Sequence, residues 1–360
     1  MVAVVAVLLA LLATGIAGVR FEDWEHAVAI RLVQMGGVVA LLVMLDIVVR
    51  AARRSGKLRP SRAALRSVRE ERWPWLRVAA VAGALVGFYV TYLAYRNVKS
   101  AVPLLRPGAL FDRQLTGYDR DLFGGHDPAA LLHSLLGTGS AAEILSFVYM
   151  AFFYFVLISL PLALVFSPRA QGGIFYVTAL SLNWVLGAAS YLLLPARGPI
   201  YATPGDFAAL PATDASHLQG VLLRQRDAFL QDPTAAHAHQ GIGAFASLHT
   251  AIIFTAAVAA HILGLGRRVQ IGLWILFALT TTATVYLGWH YVIDDLAGLV
   301  IGVVALALAR ALTGFQPGIA WRLRIPRRLG LARRAAAAQP VHHVAPARPV
   351  ADTTSGSDAG

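Results

Sequence analysis

Two histidines open apolar runs in this chain, and each has polar company at a spacing that could do chemistry. In "HYVIDD" His290 and Asp294 are four residues apart, so a helix puts them on one face. A carboxylate there can accept a hydrogen bond from one ring nitrogen and leave the other free and more basic. Asp295 is five positions from His290 and points elsewhere. In "GAFASLHTAIIF" Ser247 and His249 begin a second apolar run, with Gly241 and Gly243 just ahead. Backbone N–H groups at a helix start, with a serine hydroxyl, suit an anion. A third run ends "ASYLLLPARGPIY", where Arg197, between Pro195 and Pro199, is the only basic residue. Each feature alone has an ordinary explanation: a dipole-favoured aspartate, an N-cap serine, an interfacial histidine, a solvated arginine. Together they suggest a nucleophilic histidine, a histidine proton donor, and a phosphate held by a cation and a helix start.

Membrane helices are the elements that must bring these stretches together. The chain has 360 residues, 57% hydrophobic and 14% charged, whereas a soluble domain is about half apolar. Eight apolar runs have roughly membrane length: about 2–19, 29–49, 76–95, 144–166, 173–194, 247–265, 271–289 and 291–312. The expected fold is therefore all-α, a polytopic integral membrane protein. The first run has no positively charged start and no clear A-x-A site, so it reads as a helix rather than a signal peptide. Cysteine is absent, which excludes disulfides, thiolate chemistry and cysteine-based metal sites.

The net charge of +12 has a topological explanation, which makes nucleic acid an unattractive partner. Alternate loops hold twenty-one Arg and Lys on one side and nine on the other, with ten in residues 50–77 alone. The positive-inside bias makes the rich side, and both termini, cytoplasmic. The loops 96–143 and 195–246 and the turn at 289–290 are then extracytoplasmic. The end of the fifth run and the starts of the sixth and eighth face that same outer surface, so their polar residues can meet. Heavy use of Ala and Arg, with Lys only at 57 and 99, suggests a GC-rich bacterial genome and hence the plasma (inner) membrane.

Other segments say less. Residues 335–360 are small, polar and Pro-rich, which predicts a disordered tail; His342 and His343 within it are an incidental pair or a metal site. "LFDRQLTGYDRDLFGG" (110–125) sets Leu110, Phe111, Leu115, Leu122 and Phe123 among charges, which predicts either an amphipathic helix on the outer membrane face or a solvated loop. Arg224, Arg226, His217, His237 and His239 in the long loop 200–246 could line a pocket for a second substrate, and "HAH" at 237–239 could hold a metal. Asp46 lies within an apolar run, with Arg50 four residues on to pair with it. There is no internal repeat.

"ASLH" followed by "HYVID" at the starts of two membrane helices resembles the type 2 phosphatidic acid phosphatase superfamily. "YLGWHYVIDDLAG" is most similar to the branch containing inositol phosphorylceramide synthases and related bacterial proteins. The resemblance covers about residues 77–312 and implies a six-helix lipid phosphatase/phosphotransferase core. The chain then divides into two N-terminal helices with a basic loop (1–76), this core (77–312) and a basic tail (313–360). The resemblance further implies that His290 attacks phosphorus to form a phosphohistidine, Asp294 orients it, and His249 protonates the leaving oxygen and later serves as base. Ser247 and backbone amides would hold phosphate oxygens, with no metal or other cofactor.

The chain also departs from the pattern. The phosphatase form of the middle motif, Pro-Ser-Gly-His, is here Ala246-Ser247-Leu248-His249. The Ser-Arg that opens the last motif is here Ala283-Thr284, so a phosphate-binding cation is missing. The family's K-x6-R-P motif has its place at "LLLPARGP", which offers Arg197 and no lysine. "KSAVPLLRP" (99–107) fits that motif letter for letter after a different helix, so Lys99 or Arg106 could supply the cation, unless the match is chance. The expected function is a lipid phosphotransferase acting at the extracytoplasmic face. It would move a phosphoryl or phospho-head group, inositol phosphate in the version the resemblance implies, from a phospholipid to a hydroxyl. A lipid phosphate phosphatase using water is the alternative. A transporter or flippase fits less well, because the ionisable groups cluster at one surface rather than mid-membrane.

Overall fold

The structure, a computed structural model, describes residues 1–316; the tail readings, His342 and His343 included, lie outside the described residues. Every element among them is helical. The N-terminal pair is α1 (Val2–Ala17) and α2 (Ala27–Ser55). Then come α3 (Arg62–Arg72), α4 (Trp75–Leu105), α5 (Asp112–Leu122) and α6 (Pro128–Leu136). Two long helices follow, α7 (Ser140–Phe166) and α8 (Ala170–Leu193), and the short α9 (Pro199–Ala202) and α10 (Asp214–Gln231). The last three are α11 (Leu248–Ile262), α12 (Arg267–Tyr286) and α13 (Val292–Thr313).

The eight apolar runs are α1, α2, α4, α7, α8, α11, α12 and α13. Six are long and apolar enough to cross a membrane, while α1 and α11 are apolar but shorter. The ten-residue extension of α4 beyond the third predicted span matters most. Instead of ending near residue 95, α4 runs on to Leu105, about 46 Å at 1.5 Å per residue. Lys99 therefore lies on a helix, not in the loop where the sequence reading placed it.

Helix α8 has buried residues on every side, including Phe175, Val177, Leu180 and Tyr191, as expected for a helix at the centre of a bundle. It packs against α4, α7, α11 and α13. Close approach comes from glycine. A Cβ on Gly298 would lie 2.5 Å from the Ser247 carbonyl oxygen, and one on Gly302 would lie 3.2 Å from that of Ala251. This small-xxx-small stripe on α13 lets α11 come within backbone contact, so the starts of these two helices sit side by side.

The segment 110–125 is a helix rather than a solvated loop. It forms α5, and the residues it buries are Asp112, Leu115 and Asp119. These follow the i, i+3, i+7 spacing of one face. Tyr118, Leu122 and Phe123 are exposed. The long loop 200–246 is likewise largely helical, with α10 started by a Thr213–Ser216 capping box.

Candidate functional site

His290 lies in the turn between α12 and α13, and almost every backbone group of that turn has a partner. The carbonyls of Tyr286, Leu287 and Gly288 accept from His133 Nε2 (2.8 Å), Gln219 Nε2 (2.8 Å) and the Ile200 N–H (2.9 Å). The Trp289 and His290 N–H groups both reach the Thr284 carbonyl. The N–H of Tyr291 donates to Asp294 Oδ2 at 3.0 Å, closing a capping box. Asp119 takes the next two, Val292 N–H at 2.8 Å and Ile293 N–H at 3.0 Å. Elements α5, α6, α9 and α10 thus all hold one turn, and buried backbone polar groups without partners are costly.

The Arg197 loop is held in the same way. Its N–H donates to both oxygens of Asp112 (2.9 and 3.1 Å), Gly198 N–H donates to Oδ1 (2.9 Å), and the Tyr291 hydroxyl adds a fourth bond (3.2 Å). Gly198 has φ +103 and the Trp289 carbonyl pressed where a Cβ would be, so only glycine fits without strain. The Ala244 N–H reaches the Ala196 carbonyl, tying in the strand of chain that leads to α11.

These fastenings bring the two histidines together. His249 Nδ1 is 3.3 Å from His290 Nε2, and His290 Nδ1 is 3.4 Å from Asp294 Oδ2. The second contact has ion-pair distance but not hydrogen-bond alignment, since His290 Nδ1, His249 Nε2 and Asp294 Oδ1 are buried without hydrogen-bond partners. Burial pushes the His290 imidazole down to about 4, against the opposing pull of the Asp295 carboxylate. A neutral ring with a free nitrogen at neutral pH is the form that can attack. Asp295 is turned away from His290 and into its own network, accepting from Thr250 Oγ1 at 2.6 Å and Thr284 Oγ1 at 3.1 Å. Thr284 is itself fully buried.

Both histidines line a cavity of about 360 Å³. Along α4 its wall carries Phe88, Tyr92, Tyr95 and Lys99, one helical stripe about 16 Å long. Opposite lie Tyr149 and Phe152. The Tyr149 ring stacks on Trp289 (4.8 Å, 4°), and the Phe152 ring centre is 4.3 Å from that of His249. The cavity is aromatic along much of its length, and four basic residues face it, Lys99 and Arg197 together with Arg31 and Arg96. Lys99 Nζ lies over the rings of Tyr191 (5.0 Å) and Tyr95 (5.8 Å), within cation–π range. Among the described residues neither Lys99 nor Arg197 has an acidic partner, and Arg197 Nε is buried without any hydrogen bond.

The residues singled out from sequence thus separate into two groups. His249, His290, Lys99 and Arg197 converge on one cavity, with Asp294 directly behind His290. Ser247 is fully buried and caps α11 through the Thr250 N–H (3.4 Å) rather than lining that cavity. Arg106 lies outside it, with Nη1 donating to the Leu192 carbonyl at 2.6 Å. His239 does line the cavity, stacked on Trp24 (4.9 Å), and its Nδ1 meets the backbone carbonyl of His237 rather than its ring. Asp112 and Asp119 escaped sequence reading, although two acids seven apart with Leu115 between them do mark one face of a helix. Tyr149 and Trp289 left no comparable signal.

Apolar helices thus bring a histidine pair and basic side chains to one aromatic cavity. Residues 113–308 match the family model described as the PAP2 superfamily, and the chain belongs to that superfamily, whose members are phosphatases or phosphotransferases acting on lipid phosphates. No curated protein and no solved structure matches the chain. The matched segment begins inside α5. Lys99 and the aromatic stripe of α4 therefore come from outside it.

Proposed function

We propose that this protein is a lipid phosphotransferase that works through a phosphohistidine on His290. The observation that carries this reading is the 3.3 Å approach of His249 Nδ1 to His290 Nε2 in an aromatic cavity that Lys99 and Arg197 also line. Asp294 favours a proton on His290 Nδ1, which leaves the Nε2 lone pair for phosphorus. The Nε2–P bond forms as the bond from phosphorus to the leaving oxygen breaks. His249, protonated when the negative phosphate binds beside it, gives its Nδ1 proton to that oxygen. In the second half the acceptor hydroxyl returns a proton to His249, attacks phosphorus, and His290 leaves. Lys99 and Arg197 carry the charge of the non-bridging oxygens throughout. They stand in for the cation absent at Thr284.

Transfer to a hydroxyl is favoured over hydrolysis by the aromatic enclosure of His249 by Tyr149 and Phe152. Such a wall excludes bulk water. The branch resemblance makes phosphatidylinositol the donor to test first, with inositol phosphate as the group moved. The charge bias of the loops supports a site on the extracytoplasmic side of the plasma membrane, with both termini cytoplasmic.

The decisive experiment incubates purified protein with labelled phosphatidic acid, and separately with labelled phosphatidylinositol plus a lipid acceptor. A new labelled lipid supports transfer, and free phosphate shows a phosphatase. An acid-labile, base-stable label on the protein is expected for the intermediate. Full activity of His290→Ala in either assay would sink the mechanism. Labelling of a cysteine placed at position 220 from the cytoplasmic side would overturn the orientation, and the cysteine-free background makes that measurement clean.

A further inference from the structure

Next to the histidine cavity lies a second cavity, also of about 360 Å³, which is lined by the end of α4, the Arg197 loop and α10. Three arginines face it, Arg106, Arg197 and Arg226, and no carboxylate does. Each guanidinium is placed without an ion pair. Arg106 donates to the Leu192 carbonyl, and Arg226 Nη1 donates to Gln240 Oε1 at 3.3 Å. Arg197 is the one residue of the three that also lines the histidine cavity, and its Nε has no partner. The acid closest to this loop, Asp112, has both oxygens taken by the N–H groups of Arg197 and Gly198 and by the Tyr291 hydroxyl. Burial and the neighbouring Arg197 charge both push Arg226 below its usual pKa, with Asp112 and Asp227 opposing weakly from outside. Three like charges gathered around one hollow are unfavourable unless an anion joins them, and planar guanidinium forks match phosphate oxygens.

We propose that this cavity is a second anion site, which takes a phosphate-class dianion between Arg106, Arg197 and Arg226, apart from the histidine pair. Helix α10 is not among the helices apolar enough to span a membrane, so the site sits in the layer above the bundle, where soluble or head-group phosphates are found. The dianion is either free phosphate or a second phosphate carried by the lipid substrate. Because Arg197 belongs to both cavities, filling one alters the other. The anion's origin rests on the reading of His290 as the transfer centre; the existence of the site does not.

The test uses the full chain in nanodiscs of a zwitterionic lipid, with His290→Gln to stop turnover. That residue does not line the second cavity. Inorganic phosphate is titrated calorimetrically, and a prenyl monophosphate and a prenyl diphosphate are titrated by thermophoresis. Adding Arg226→Gln is expected to weaken binding tenfold or more, and Arg226→Lys to recover part of it. Loss confined to inorganic phosphate assigns the site to the free anion. Loss for the diphosphate exceeding that for the monophosphate assigns it to a substrate-borne second phosphate. Isotherms for Arg226→Gln that superimpose on the parent's in all three titrations overturn the proposal. These readings stand even if the wild-type protein turns over no lipid phosphate at all.

Discussion

The two ends of the bundle use buried acids in opposite ways. At the end away from the histidines, Asp46 is 4% exposed and surrounded by cations. It accepts from Arg50 Nε at 2.8 Å and Trp73 Nε1 at 3.0 Å, with Arg72 Nε 3.6 Å away. Arg72 and Arg77 in turn donate to the Ser167 carbonyl, just past α7, where a helix C-terminus favours positive charge. At the histidine end, Asp112 and Asp119 are about as buried, at 7% and 4%. Their donors are backbone N–H groups and a tyrosine hydroxyl, none of them charged. Acids and cations neutralise one another at the first end. At the second, the acids are used up as backbone clamps and the cations Lys99 and Arg197 are left to project positive potential into the cavity. Anchorage and chemistry thus draw on the same residue types and differ in who pairs with whom.

The sharpest way to break this division is His290→Gln. If the histidine end is the chemical end, turnover falls by about a thousandfold or more, while the melting temperature stays close to wild type or rises. Steady-state kinetics on the labelled lipids reads the first and differential scanning fluorimetry the second. Activity within tenfold of wild type would remove the reason for separating the ends.

Asp119→Ala is next in size. It frees the Val292 and Ile293 N–H groups and lets the start of α13 drift, and a displacement of about 1 Å at a reacting group can cost on the order of a hundredfold. A drop of about 10- to 100-fold in kcat with a smaller change in KM is expected, since Asp119 touches no substrate. A change in KM alone would make it a binding residue instead. Asp119→Asn should recover part of the rate, because its amide oxygen still accepts one backbone hydrogen bond.

The sequence made some of this legible, and the physics says which part. Eight apolar runs announced eight apolar helices, because hydropathy is a sum over many residues and tolerates local error. The histidine pair was legible because helix starts at one surface had to meet. Two things were not. The continuation of α4 through Lys99 was hidden because charged and polar residues after Tyr95 look like an exit from lipid, whereas here Arg96 and Lys99 face a cavity and Asn97 and Ser100 bond to other segments. The clamps of α5 were hidden because an aspartate that caps another segment's N–H groups looks the same as a solvated one. Its partner, Val292 N–H, is 173 residues away. Ser247 shows the reverse case, a residue whose motif drew attention and whose hydroxyl is turned to its own helix start.

Asp46→Ala examines the other side of the comparison. It leaves Arg72, whose side chain is 14% exposed, without its acid. Removing one partner of a buried pair costs about 3–5 kcal/mol. The expected result is a lower melting temperature with kcat within about twofold of wild type, measured below the transition. A loss of kcat matching that of Asp119→Ala would mean that the two ends are not separable.

The smallest effect concerns pH, and it again distinguishes the ends. His290 has a folded pKa of about 4, set by burial, against an unfolded value near 6.5. Between those values the unfolded chain binds more protons than the folded one. Stability from this group is therefore fully present above about pH 6.5 and is lost as pH falls toward 4. At the opposite end Glu71 is held below its usual value by the Arg54 hydrogen bond, so its contribution is lost only as pH falls below about 4.5, the ordinary glutamate range. Acidification from pH 7.5 to 5 should thus lower the melting temperature of the wild type more than that of His290→Gln, which has nothing to protonate there. Arg54→Gln should track the wild type over the same interval. The same neutrality predicts that the acid limb of kcat/KM lies below pH 6.5. Parallel melting curves for wild type and His290→Gln across this range would place the buried, uncharged histidine somewhere other than residue 290.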